Sequence, residues 1–245
     1  AMTVTIADTN ELFTRIHETG YWRVVLHPTV FEEQRIPTLK KCEELIDATQ
    51  VRLRGWDYPH VERSLSGQGV IYGDDWIQSG ADFAKRIELW RFYQSGQFVH
   101  QLAVDQDRTP LLFRPYGDEQ AGQIAPGPRV LDYLNVVYTL TEILEFARGL
   151  AYRGVLDPVA ALRIELHGMQ DRTIIAPPGR RPLGHYTSRI DTIAWKRGEP
   201  AAAIVADAPR LAIDAAIHIF ERFKWRDPPR GVFEEDQRRL LERRL

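Results

Sequence analysis

The stretch that decides the fold is Glu88-Leu-Trp-Arg-Phe-Tyr-Gln-Ser-Gly-Gln-Phe-Val-His100, two runs of apolar and aromatic residues separated by Ser95-Gly96. This separation is typical of a β-hairpin. Strict alternation places the first-run side chains on two opposite sides of the strand, Glu88, Trp90, Phe92 and Gln94 on one and Leu89, Arg91 and Tyr93 on the other. Because aromatic side chains fall on both sides, we expect either that both faces are covered or that one face is a binding platform on which bases stack.

The patterns on either side of this hairpin predict an α+β fold with a mostly antiparallel sheet packed with amphipathic helices. Strand-like runs, rich in β-branched and aromatic residues, lie at residues 21–27, 51–56, 70–72, 76–78, 87–93, 98–104, 111–114 and 160–167. Residues 173–176 are expected to pair with or continue the last of these. Helical periodicity covers residues 31–50, 130–149, 208–223 and 232–245, with a bend or restart at Pro37.

The Gly- and Pro-rich stretch at residues 116–128 is the strongest internal boundary, because composition and periodicity both change there. We expect either a single domain over residues 1–245 or a subdivision into a sheet-rich half, 1–120, and a helix-rich half, 128–245.

The charge balance excludes a whole-protein basic field. The chain has 32 Lys and Arg against 34 Asp and Glu, a formal net charge of -2, so an anion site must be local. A single cysteine, Cys42, excludes intramolecular disulfides and multi-thiolate zinc sites, and its apolar-periodic surroundings predict a small core residue. No run is apolar enough for a membrane span, and we expect a cytoplasmic protein with no membrane partner.

The first candidate binding segment is Arg52-Leu-Arg-Gly-Trp-Asp-Tyr-Pro-His60, where a strand ends in a turn. Arg52, Arg54, Trp56, Tyr58 and His60 offer groups that stack on planar ligands and groups that hold an anion. The alternative is that Trp56 and Tyr58 fill the core while the polar residues serve the turn.

The hairpin adds Glu88, Trp90 and Arg91 as candidate ligand-binding residues, with a covered central strand as the alternative. Glu88 needs a partner if it is buried, and we expect Arg54 to supply it. Arg180 and Arg181, in a Gly- and Pro-rich loop at residues 177–185, are further candidates for phosphate binding, although such pairs are often only solvated surface.

Catalytic motifs are not found. The sequence has no P-loop, no dinucleotide-binding glycine pattern, no GxSxG and no HExxH, and its histidines lack the short spacing of a zinc site. We therefore predict no catalytic residues, no metal and no cofactor, and favour a protein that is not an enzyme. The alternative is a metal-dependent hydrolase or nuclease using Asp57, Asp74, Asp75 and Glu88.

The segments Arg54-Gly-Trp-Asp-Tyr-Pro-His60 and Trp90-Arg-Phe-Tyr-Gln-Ser-Gly-Gln-Phe-Val-His100 resemble a family of uncharacterised bacterial domains associated with AlbA/Schlafen-type DNA-binding modules. The resemblance extends to residues 138–150 and 219–225. It implies a sensing or binding module that works beside an effector in a regulatory or defence system. The chain departs from a direct DNA reader in having no independent helix-turn-helix module.

Three functions follow as hypotheses. The leading one is a binding module that recognises a nucleic acid, a nucleotide or a partner protein through the aromatic and arginine residues named above. The second is the metal-dependent hydrolase or nuclease. The third is a structural subunit that pairs, with a partner or with itself, through the C-terminal helix at residues 232–245.

Overall fold

The computed structural model describes residues 6–61, 69–83, 86–108, 129–181 and 183–243. Its helices are α1 (Ile6–His17), α2 (Leu39–Thr49), α3 (Asp105–Arg108), α4 (Tyr133–Tyr152), α5 (Ala201–Arg222) and α6 (Arg230–Leu241). Its strands are β1 (Tyr21–Pro28), β2 (Val51–Arg54), β3 (Trp56–Tyr58), β4 (Ile71–Tyr72), β5 (Trp76–Phe83), β6 (Arg86–Tyr93), β7 (Phe98–Ala103), β8 (Val130–Asp132), β9 (Val159–His167), β10 (Thr173–Ile175), β11 (Tyr186–Thr187) and β12 (Ile193–Pro200).

The fold is α+β, as the sequence predicts, and its main element is a seven-stranded sheet in the order β12-β9-β1-β7-β6-β5-β4. Every neighbouring pair in this sheet is antiparallel. The predicted hairpin forms β6 and β7 at its centre, with Gly96 in the turn at φ 84°, a backbone conformation that favours glycine. Strands β9 and β12, from the second half of the chain, join the same sheet through β1.

One face of the sheet packs against the helices and forms the core. In β6, Glu88, Trp90 and Phe92 point to this face, opposite Leu102, His100 and Phe98 of β7. Helix α4 is the central helix of this layer, and 14 of its residues are buried. The apolar side of α6, with Phe233 and Leu240 buried, packs within the chain as well.

The opposite face of the sheet is largely uncovered by the described helices. Leu12 and Ile16 of α1 pack at one corner against Ile87 and Ala103. Beyond that corner, the side chains that alternate with the core residues of β1 and β7 are partly exposed. We call this surface the open face.

Several predicted elements have different bounds or partners in the structure. Helix α2 does not cover residues 31–37 of the predicted helix. It begins after Thr38, whose side chain accepts a hydrogen bond from Lys41 N at 3.1 Å and caps the helix, so Pro37 lies just outside it. Residues 130–132 form β8 and not the first turn of the predicted helix. Helix α4 begins after them, because the Asp132 side chain accepts a hydrogen bond from Leu134 N and caps the helix there.

The expected pairing of residues 173–176 with 160–167 is wrong. Strand β10 instead pairs in parallel with β8 and antiparallel with β11, in a separate three-stranded sheet. Gly168, at φ 71°, allows the chain to turn away at the end of β9. A Cβ atom at this position would lie 3.0 Å from the Cα of Gly20, so the close approach also favours glycine.

Four elements were not predicted at all, helices α1 and α3 and strands β11 and β12. The strand predicted at residues 111–114 lies outside the described residues. Within the described part of the chain, no helix is both long enough and apolar enough to cross a membrane.

Candidate functional site

The carboxylate of Glu88 is the centre of a buried polar cluster with Trp56, His60 and His100, which we call the Glu88 cluster. Trp56 Nε1 donates to Glu88 Oε1, the backbone N–H of His60 donates to Oε2 at 3.3 Å, and His100 Nε2 lies 2.9 Å from Oε2. The Trp56 and His60 rings stack with their centroids 3.9 Å apart. The two candidate segments of the sequence therefore meet at this carboxylate.

The surroundings of Glu88 favour its ionised form. Burial by itself would raise the pKa of Glu88, but the hydrogen bonds from His100 and Trp56 and the electrostatic interaction with His100 together outweigh burial and lower the pKa. Since the residue is 1% exposed, the ionised carboxylate is held by the protein rather than by solvent.

Tyr58 and Trp90 are core residues beside this cluster. Trp90 is fully buried and donates its indole N–H to the His60 carbonyl at 2.5 Å. Tyr58 contacts His100 and Phe146 edge-on at 4.9 and 5.8 Å, and burial raises the pKa of its phenol well above the usual value. The candidates Trp56, Tyr58, His60, Glu88 and Trp90 are thus brought together, mainly in the interior.

The expected pairing of Arg54 with Glu88 is wrong, because Arg54 binds Glu142 of α4. The Arg54 guanidinium donates to both carboxylate oxygens of Glu142, to Asn135 Oδ1 at 2.6 Å and to Thr139 Oγ1 at 3.3 Å. Glu142 is 1% exposed, so it needs a charged partner, and Arg54 reaches it from β2. Arg54 therefore joins β2 to α4, and its donors are used within the chain.

The remaining candidate arginines do not join the Glu88 cluster. Arg52 is exposed and lies 3.4 Å from Asp57. Arg180 pairs with the buried Asp236 of α6, and Arg181 is exposed.

The carboxylates of the metal-site alternative are not assembled into a ligand set. Asp74 and Asp75 are exposed, whereas Glu88 is enclosed by its three donors. Across the described residues, no group of three or more His, Cys, Asp or Glu side chains is placed to hold a metal ion.

The open face brings together charged residues from distant parts of the sequence. Arg163 lies opposite Val25 in β1 and Lys196 in β12, and Arg91 lies opposite Val99 in β7. Neighbouring strands are about 4.8 Å apart, so Arg163 on β9 and Arg91 on β6 are separated by about 14 Å across the sheet. These residues form one row of cations separated by valines.

Two arginines on the open face share a single carboxylate. Glu165 accepts from Arg23 Nη1 at 3.0 Å and from Arg163 Nε at 2.7 Å. Although burial alone would raise the pKa of Glu165, these two guanidinium groups lower it. The three residues keep one net positive charge, and Arg163 remains 46% exposed on its side chain. This arrangement leaves guanidinium donors available to an anion.

Arg91 is the one candidate from the sequence that lies on this face. Its guanidinium stacks on the Trp76 ring at 4.1 Å and donates to Gln78 Oε1 from Nε and Nη2. Trp76 lies opposite Tyr93, so an aromatic pair adjoins the cation.

A column of four stacked rings occupies another part of the open face. Phe13, His17, Tyr21 and His167 have successive ring centroids 4.1, 4.2 and 4.5 Å apart. Phe13, at the end of the column, is 41% exposed.

Sequence reasoning missed Arg23, Arg163, Glu165 and Lys196. A signal was present, because Arg163 and Glu165 alternate with apolar residues in the predicted strand at 160–167, and Arg23 does so in the strand at 21–27. The alternation does not show that β9 lies beside β1, which is the pairing that places Arg23 opposite Glu165.

Comparisons of the chain with protein-family models, curated proteins and solved structures gave no significant match to any of the three.

Proposed function

We propose that the protein is a binding module whose open face takes up single-stranded nucleic acid. The observation that carries the proposal is the row of Arg163, Lys196 and Arg91 on the open face, beside the partly exposed rings of Trp76 and Tyr93. Single strands are bound by the combination of a basic surface that follows the backbone and rings on which bases stack.

Charge favours an anionic ligand here, although the chain as a whole has a net charge of -2. The row and its neighbours contribute four positive charges, from Arg23, Arg163, Lys196 and Arg91. The negative charge of Glu165 is already paired with two of these residues, Arg23 and Arg163. Away from the corner where α1 packs, and apart from Glu165, the side chains on this side of β12, β9, β1 and β7 are partly or fully exposed, so a strand can cross there without displacing any of the described helices.

Stacking distinguishes this proposal from simple anion binding. Arg91 and Trp76 form a flat guanidinium–indole pair, and Tyr93 lies opposite Trp76 on the same face. Such surfaces accept any base, because every base has a π-face, and they predict weak sequence preference. The regulatory or defence role implied by the resemblance would begin with this binding step.

The test is fluorescence anisotropy with a labelled 20-nucleotide oligo(dT) and the matching oligo(U). We expect saturable binding that the double variant Arg163→Ala/Arg91→Ala weakens by about tenfold or more, since it removes two phosphate-facing cations and one stacking group. Arg197→Ala is the matched control, because Arg197 is exposed on β12 but alternates to the other side of the sheet from Lys196.

The proposal fails if neither oligonucleotide binds, or if the double variant binds as tightly as the natural chain. A third outcome also overturns it: tighter binding of a polyglutamate peptide than of either oligonucleotide would assign the face to an acidic protein partner.

A further inference from the structure

A groove of roughly 600 Å³ lies on the helix-covered side of the molecule, between α2, β2, α4, α5 and α6. This volume is within the range of small-molecule sites, about 300 to 1,000 Å³. Leu53 and Val205 contribute apolar lining, while Glu145, Arg148, Tyr152 and Arg153 contribute the polar and aromatic part. Gly149 keeps the helices close, because a Cβ there would lie 3.0 Å from Thr49 Cγ2.

Glu145 lines this groove and has one carboxylate oxygen without a partner in the part of the chain that the structure describes. Its side chain is 8% exposed, and Oε2 pairs with Arg148 Nη2 at 2.5 Å. The second oxygen, Oε1, is buried and has no hydrogen-bond partner among the described residues. Burial raises the pKa of Glu145, and Arg148 only partly opposes it. A buried carboxylate oxygen without a donor is costly, and a ligand N–H would satisfy it.

Arg153 supplies a fixed positive charge. Its Nη1 donates to the Gly149 carbonyl at 3.1 Å and its Nη2 donates to the Ala48 carbonyl at 3.0 Å, so it is held between the ends of α4 and α2. Both partners are neutral, and no ion pair of Arg153 is found within the described part of the chain. The guanidinium is therefore fixed in place. The C-terminal carbonyls of the two helices offset part of its charge, but no carboxylate of the described residues pairs with it, so it can bind a phosphate.

Arg148 and Tyr152 complete the rim. The Arg148 side chain is 46% exposed, and Tyr152 is 75% exposed, which is unusual for a large aromatic residue. An exposed phenol ring beside a cation can stack on a planar ligand.

We propose that this groove binds a nucleoside phosphate, with the phosphate on Arg153 and Arg148, the base against Tyr152, and a base N–H donating to Glu145. The groove offers the three kinds of contact that such a ligand combines: an anion site, a ring and an acceptor for the base edge. The groove and the open face are separate surfaces, so either can bind its ligand without the other.

The test is isothermal titration calorimetry with GMP, AMP, CMP and UMP, each compared with its free nucleoside and with inorganic phosphate. We expect at least one nucleotide to bind saturably, and Arg153→Ala to weaken it by about tenfold. Removing the 5′-phosphate should weaken binding to the natural chain by more than tenfold, since it removes the contacts with both Arg153 and Arg148. It should weaken binding to Arg153→Ala by about tenfold less than this, because only the Arg148 contact is left to lose. Glu145→Gln should weaken the nucleotide but not inorganic phosphate.

Arg163→Ala, on the open face, is the matched control and should bind the nucleotide as the natural chain does. The proposal is overturned if no nucleotide binds below about 5 mM. It is also overturned if inorganic phosphate binds as tightly as every nucleotide, or if Arg163→Ala removes nucleotide binding while Arg153→Ala keeps it. The last result would place the nucleotide on the open face and leave single-strand binding there intact.

Discussion

Glu88 Oε2 lies 2.9 Å from His100 Nε2, and the two side chains are 2% and 1% exposed. The pair joins neighbouring strands of the central hairpin, and Trp56 and the His60 backbone bring the β2–β3 segment onto the same carboxylate. An acid in the core of a sheet is stable only when donors replace its water. The relationship therefore explains why a charged residue alternates with Trp90 and Phe92 on the core side of β6.

Replacing Glu88 by Gln should lower the free energy of unfolding by about 3 kcal/mol or more at pH 7, because it removes the charge from a buried, hydrogen-bonded pair. The pKa of Glu88 is lowered in the folded protein, so its stabilisation is complete above the unfolded value of 4.5 and is lost as the pH falls through the folded pKa. The deficit of Glu88→Gln should therefore shrink in acid. Urea denaturation at pH 7 and pH 4 measures both effects.

Glu18→Gln is the control for this variant, since Glu18 is exposed. It should change stability by less than about 0.5 kcal/mol at either pH. A deficit of Glu88→Gln that stays constant from pH 7 down to pH 3 would contradict an ionised Glu88.

Arg54→Ala should destabilise the fold by about 3 to 5 kcal/mol, because it leaves Glu142 buried and unpaired. Arg54→Lys should recover little, since an ammonium group cannot reproduce the forked contact with both carboxylate oxygens. Arg52→Ala, two residues away on the same strand, removes an exposed side chain and should cost less than about 1 kcal/mol. Guanidinium chloride denaturation of the three variants would refute the Arg54–Glu142 link if Arg52→Ala were the more damaging change.

The ion pairs of Arg54 and Arg23 show which features of the fold the sequence does not predict. Alternation in β6 was predicted correctly, because it depends only on neighbouring residues. The partner of Arg54 lies 88 residues further along the chain, and that of Arg23 lies 142 residues away. Local pattern identifies which side of a strand a residue faces, but strand order and helix placement decide which charge it meets there.

Arg172 should be another structural arginine. It is fully buried, donates to both carboxylate oxygens of Asp107 at 2.7 and 2.6 Å and to the Val130 carbonyl at 2.8 Å, and so ties β8 to α3. Arg172→Lys should lower the unfolding free energy by about 3 kcal/mol, because it loses the forked geometry and leaves acceptors unpaired. Arg189→Lys, at an exposed position, should have a negligible effect in the same denaturation experiment. Equal stability of the two variants would contradict the role assigned to Arg172.

Cys42 should be unreactive in the folded protein. It is fully buried in the core, as its sequence pattern predicts, and burial raises the pKa of its thiol to about 12. Since the thiolate is the reacting species, alkylation by iodoacetamide at pH 8 should follow unfolding rather than the intrinsic rate of a free thiol. Labelling across a urea titration should rise with the unfolded fraction. Complete modification without urea would show that α2 opens locally.

Binding of a single strand to the open face should be strongly salt-dependent, because each neutralised phosphate releases counterions. The logarithm of the affinity should fall with the logarithm of the salt concentration with a slope of about −0.7 for each phosphate contact. Arg163 makes its contacts with Glu165 through a side chain that is 46% exposed, and Arg23 remains on that carboxylate when Arg163 is removed. Arg163→Ala should therefore keep the fold and reduce the magnitude of the slope by about 0.7, whereas Arg197→Ala should leave it unchanged. Anisotropy titrations from 50 to 300 mM NaCl measure these slopes, and a flat salt dependence for the natural chain would mean that bases are held by stacking without phosphate contacts.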